Sequence, residues 1–100
     1  MLKIGEFSKM SKVTIKALRY YEKESLLIPK YIDNYNGYRY YESSQLIDIS
    51  KIITLKQVGL SIEEIKRIII AKEPIDVILK SKKVELENTI SLYKHQLSKL

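Results

Sequence analysis

Residues 14–41 read TIKALRYYEKESLLIPKYIDNYNGYRYY. Seven of the eight tyrosines fall between Tyr20 and Tyr41, so this stretch holds nearly all the aromatic surface of the chain. Tyrosine joins an apolar ring to a polar tip and suits surfaces that are half packed and half wet. Thr14 is a good N-cap, and the spacing behind it predicts a helix over residues 15–23. On that helix Ile15, Leu18 and Glu22 share one face. Lys16, Tyr20 and Lys23 share the other, with the small Ala17 beside them. Such a face can approach another molecule closely. Residues 26–29 leave the helix at Pro29, and residues 30–32 can form a strand. Residues 33–37 are turn-rich, with Asn36-Gly37 a strong hairpin signal, and residues 38–41 can return as a second strand.

On the N-terminal side, Ile4, Phe7 and Met10 recur at helical spacing, which predicts a short helix over residues 4–10. Residues 11–13 make a brief connection. Two short helices joined in this way form a helix-turn-helix candidate. A hairpin directly after it is a wing, placed to reach DNA beside the second, recognition helix.

On the C-terminal side, Ser43 or Ser44 can cap a helix whose apolar stripe is Leu46, Ile49, Ile52 and Ile53, stopping at Gly59. Ser61 and Glu64 have capping-box spacing and open a helix with Ile62, Ile65, Ile68 and Ile69 on its apolar side. After Pro74 the pattern is one long helix over residues 75–100, about 40 Å at about 1.5 Å per residue. Leu79, Leu86, Ile90, Tyr93, Leu97 and Leu100 form a coiled-coil seam on it, with Lys83 as a polar defect. Such a seam calls for a partner helix from a second copy; the alternative is an internal helix folded back on its own domain. The fold class expected is therefore mainly α: a winged helix-turn-helix head with a small β-hairpin wing, a second helix pair and a long C-terminal helix. Residues 1–72 are read as the DNA-binding domain and residues 75–100 as the dimerisation helix. The pattern reaches Leu100 without a stop signal, so a continuation into a further domain is expected.

Composition narrows the function. The net charge is +6 at pH 7 and the pI about 9.4, which makes a polyanion a plausible partner. There is no cysteine, so thiolate metal sites and disulfides are excluded from these residues. No signal peptide or membrane span is visible, and a cytoplasmic location is expected. No phosphate-cradling glycine loop is present, and the lone His95 has nothing to orient it as a catalytic base. No enzyme activity, cofactor or metal site is expected.

Four pieces, IGEFSK, LRYYE, NGYRYY and VGLSIEEIK, stand in an order and spacing that resembles the MerR family of bacterial transcription regulators, over about residues 2–70. The resemblance is to the multidrug-sensing branch in particular. It implies a homodimer held by an antiparallel coiled coil and bound to inverted-repeat promoter DNA. It implies that the bound DNA is bent and untwisted for RNA polymerase, and that a small-molecule effector binds a domain beyond residue 100. Where family members often carry glycine after LRYYE, this chain has Ser25, which implies a slightly different helix end. The residues expected on DNA are Thr14, Lys16, Ala17, Arg19 and Tyr20 of the recognition helix, Gly37, Tyr38 and Arg39 of the wing, and Lys56. For Arg19 the competing use is a salt bridge to Glu22. Of the tyrosines, Tyr21 is expected to pack inward; Tyr38 and Tyr40 fall on one side of the return strand and Tyr41 with Arg39 on the other. An architectural, excisionase-like DNA binder without an effector is the alternative function, and the long helix favours the regulator.

Overall fold

In a computed structural model covering residues 1–100, the chain forms five helices and one small sheet. The order is β1 (Leu2–Lys3), α1 (Ile4–Ser11), α2 (Ile15–Lys23), β2 (Tyr31–Ile32), β3 (Arg39–Tyr41), α3 (Gln45–Gln57), α4 (Ile62–Ile69) and α5 (Ile75–Leu97). The chain divides into two compact units, Met1–Gly59 and Leu60–Leu100. Helix α4, expected within the DNA-binding domain of residues 1–72, lies in the second compact unit with α5.

In the first unit, α1 begins where the Lys3 amide donates to Glu6 Oε1 at 3.1 Å, a carboxylate suited to the positive end of a helix. It ends at Lys12, which adopts a left-handed backbone with φ 59°. The turn is locked by Ser8, whose hydroxyl donates to the Val13 carbonyl and whose carbonyl accepts from the Val13 amide. Thr14 then caps α2 as expected, its Oγ1 accepting from the Ala17 amide at 3.1 Å. The core of the unit is built from Phe7, Val13, Leu18, Tyr21, Leu26, Leu27, Tyr41, Ile49 and Ile52, all buried. Leu18 and Tyr21 form the buried face of α2; Ile15, placed by its spacing on the same face as Leu18, is 40% exposed.

The sheet is antiparallel with order β1-β3-β2. Leu2 and Lys3 pair with Tyr41 and Tyr40, and Tyr31 and Ile32 pair with Tyr40 and Arg39. The wing hairpin thus gains a third strand from the extreme N-terminus. Two residues are too few to show a period of two, so the sequence does not announce this strand. The hairpin loop carries its own hydrogen bonds. Asp33 Oδ1 accepts from the Tyr35 and Asn36 amides, Asn36 Oδ1 accepts from the Tyr38 amide, and the Asp33 amide donates to the Tyr38 carbonyl at 2.9 Å. Gly37 takes the positive φ of 72° that this turn requires.

Helix α3 starts at the expected place by a different device. Ser44 makes no side-chain cap; Gln45 Oε1 accepts from the Glu42 amide at 2.9 Å, and Gln45 Nε2 donates to the Ile28 carbonyl at 2.7 Å.

In the second unit the Ser61–Glu64 capping box is complete. The Ser61 amide donates to Glu64 Oε1 at 2.8 Å, and the Glu64 amide donates to Ser61 Oγ at 3.2 Å. Arg67 donates Nε and Nη2 to the two oxygens of Glu73, at 2.9 and 3.0 Å, and clasps the turn after α4. Helix α5 contacts α4: Ile65 and Ile78 are buried, and Lys82 Nζ donates to Glu64 Oε1 at 3.1 Å. The long helix stops at Leu97. The Lys99 and Leu100 amides bond only three residues back, and Ser98 Oγ takes the His95 carbonyl.

Candidate nucleic-acid interface

The exposed face of α2 and the wing meet at a cleft. Lys3, Ile4, Arg19, Gly37, Tyr38 and Arg39 line a cavity of about 220 Å3. Four of the residues expected on DNA, Arg19, Gly37, Tyr38 and Arg39, are brought together there from two elements. Lys3 joins them because β1 pairs with β3, placing Lys3 opposite Tyr40. Lys3 is absent from the residues expected on DNA because its position depends on a pairing about 37 residues away that no spacing rule predicts.

Thr14 and Lys16 stand exposed at the N-terminal end of α2, with Ala17 half-buried behind them. Tyr20 is 43% exposed and lies against Tyr21, ring centroids 5.9 Å apart. Tyr38 is 55% exposed on the wing. Lys56 is exposed near the end of α3 and does not line the cleft.

The two arginines of the cleft differ. Arg39 donates Nε to Glu22 Oε1 and, at 3.2 Å, Nη2 to Glu22 Oε2, a forked pair across 17 residues of sequence. Its Nη1 reaches the Gly37 carbonyl at 3.4 Å. The bond to Glu22 raises the Arg39 pKa above its ordinary value. Glu22 therefore serves Arg39, not its own-helix neighbour Arg19. Arg19 is exposed, and its side chain makes no ion pair.

Beneath the cleft, Tyr41 is fully buried and stacks on Phe7, with Tyr31 against Tyr40 on the sheet above. The tyrosine-rich stretch thus splits. Tyr21 and Tyr41 are core, Tyr40 is half-buried, and Tyr20, Tyr31, Tyr35 and Tyr38 are exposed.

In the second unit, Leu79, Leu86, Ile90, Tyr93 and Leu97 are 43 to 64% exposed along α5. The buried Ile78 lies on a different face of that helix. No group of three or more His, Cys, Asp or Glu side chains could hold a metal. No helix is long and apolar enough to cross a membrane.

A helix-turn-helix followed directly by a hairpin wing, with cations gathered where the two meet, defines the first unit as a winged helix-turn-helix. The chain belongs to the MerR family: the family of MerR HTH regulatory proteins matches residues 2–72. It is 52% identical over 64 residues to the multidrug-efflux transporter 1 regulator of Bacillus subtilis (strain 168), covering 64% of this chain and 23% of that protein. It is 36% identical over 89 residues to the multidrug-efflux transporter 2 regulator of the same organism, covering 87% of this chain and 32% of that protein. Among solved structures it is similar to the EcmrR–DNA complex in EcmrR-RPo, with TM-score 0.84 and 39% identity over 97% of this chain and 36% of that one. The chain spans about a quarter to a third of the length of these relatives.

Proposed function

We propose that this chain is the DNA-binding and dimerisation part of a MerR-type transcription regulator. It binds an inverted-repeat promoter operator as a homodimer and distorts the DNA to control transcription by RNA polymerase. The observation that carries the reading is the junction of α2 and the wing, where Lys3 and Arg19 present cations on one exposed surface. Phosphates fix such a module on the duplex, while side chains on the recognition helix touch base edges. Thr14, Lys16, Ala17 and Tyr20 are the groove-facing set. Arg19, Gly37 and Tyr38 form the phosphate-facing flank, with Arg39 forked onto Glu22 beside them, and Lys56 anchors neighbouring backbone. The similarity to a structure of a DNA complex supports this assignment.

Few polar side chains face the groove, so DNA shape and deformability carry part of the specificity. The exposed seam on α5 is the homodimer contact, from Leu79 to Leu97. The likeness to two multidrug-efflux transporter regulators supports a small-molecule effector, taken up by a domain outside residues 1–100. The place of action is the bacterial cytoplasm.

Selection of bound sites from a random duplex library at moderate salt tests the proposal. An inverted repeat with fixed half-site spacing is the expected result. Single half-sites, or no enrichment, would overturn it.

A further inference from the structure

A carboxylate is bonded to one of the arginines that line the cleft, where a DNA-binding surface would ordinarily exclude one. Glu22 stands on α2 one turn from Arg19 and takes Arg39 of the wing in a forked pair. A carboxylate near phosphates weakens binding by repulsion unless it does something else there. Glu22 does two things at once: it cancels the charge of Arg39, and it ties the wing to the recognition helix. Arg19 is left as the unpaired arginine of the cleft.

Resting on the DNA-binding reading above, we infer that Glu22 is a specificity-determining positioning residue, acting by withholding Arg39 from phosphate. Every duplex offers the same phosphates, so a second free arginine in the cleft would raise affinity for all sequences alike and dilute discrimination. A guanidinium already forked onto a carboxylate contributes little to that sequence-blind attraction. It fixes the distance between wing and helix, and geometry of that kind favours a correctly shaped operator over other DNA.

The test is the salt dependence of binding to a duplex of unrelated sequence and to the selected operator. Glu22→Gln should release Arg39. The slope of log affinity against log salt should then steepen by about 0.9, with affinity for unrelated DNA rising up to about eightfold at ~0.1 M salt. The ratio of operator to unrelated-DNA affinity should fall. The double variant Glu22→Gln with Arg39→Met leaves the site net neutral, as in the native pair, and should restore the native slope. An unchanged or shallower slope in Glu22→Gln overturns the inference. A slope that stays steep in the double variant overturns it too, since Glu22 would then act on DNA directly and not through Arg39. A role confined to bracing the wing would lower affinity without steepening the slope. Unrelated duplex reports the slope even if no operator exists, so loss of sequence preference in the native protein would sink the function proposed above and leave this measurement standing.

Discussion

The rings of Phe7 and Tyr41 stack with centroids 4.4 Å apart and planes 13° from parallel. This contact joins α1 to the return strand of the wing, and both residues are fully buried. The Tyr41 hydroxyl is buried with no protein hydrogen-bond partner. Burial, followed by the nearby Glu22 charge, raises its pKa above 10.0.

Tyr41→Phe keeps the stack and removes the unpaired hydroxyl. Thermal unfolding should show a gain of about 1 kcal/mol, because the cost of desolvating that group disappears. A fall in Tm would show that the hydroxyl has a partner. Phe7→Ala removes the ring itself and should cost about 3–5 kcal/mol, enough to unfold a head of this size. The native protein should also weaken at high pH. A phenol whose folded pKa is raised lends its stability in full below its ordinary value and loses it as pH climbs through the raised one. Tyr41→Phe should lose that part of the alkaline limb.

Glu64 supplies the acid counterpart. The Ser61 amide, and secondarily Lys82, hold its carboxyl below the ordinary value of 4.5, while Glu64 raises Lys82 above 10.5. The stability tied to Glu64 is present above 4.5 and lost as pH falls through the lowered value; that tied to Lys82 is present below 10.5 and lost as pH rises through the raised one. NMR titration of the Glu64 carboxylate carbon should find a midpoint below 4.5. Lys82→Met should move it part of the way back, since the Ser61 amide remains. A native midpoint at or above the ordinary value would mean the capping box does not persist in solution.

Arg19→Ala tests the phosphate surface. It should flatten the salt slope by about 0.9 and weaken binding to operator and unrelated DNA alike, up to about eightfold at ~0.1 M salt. A loss confined to the operator would instead make Arg19 a base-reading residue. Arg39→Ala is the less clean experiment, because it strands the Glu22 carboxylate on the same surface.

Leu86 and Ile90 are 49% and 53% exposed and lie outside the buried core, so changing both to Asp removes little packing within the chain. The double variant should stay helical by circular dichroism and sediment as a monomer. A persistent dimer would place the subunit contact elsewhere than the α5 seam.

Much of this architecture can be read from local signals. Thr14 and the Ser61–Glu64 box act within one helical turn, and each makes the bonds its spacing foretells. The 15–23 helix is likewise found at its expected bounds. Asn36-Gly37 marks the hairpin because only certain residues tolerate its backbone. What the sequence hides is non-local. The β1 strand is invisible without its partner Tyr41, and with it the placement of Lys3 in the cleft. The Glu22–Arg39 pair spans 17 residues and obeys no periodicity, so the spacing points instead to Arg19, one turn from Glu22. Ser25 shows how a departure from the expected residue can be absorbed: it adopts φ 60°, the conformation in which glycine is at ease.

The hairpin loop satisfies its own amides through Asp33 and Asn36. Such a loop holds its shape before anything touches it, and little backbone freedom remains to be frozen on contact. On the proposed binding mode, docking through the wing resembles the meeting of two rigid parts. Its speed is governed by diffusion and orientation, with no wait for a flexible segment to fold around the duplex.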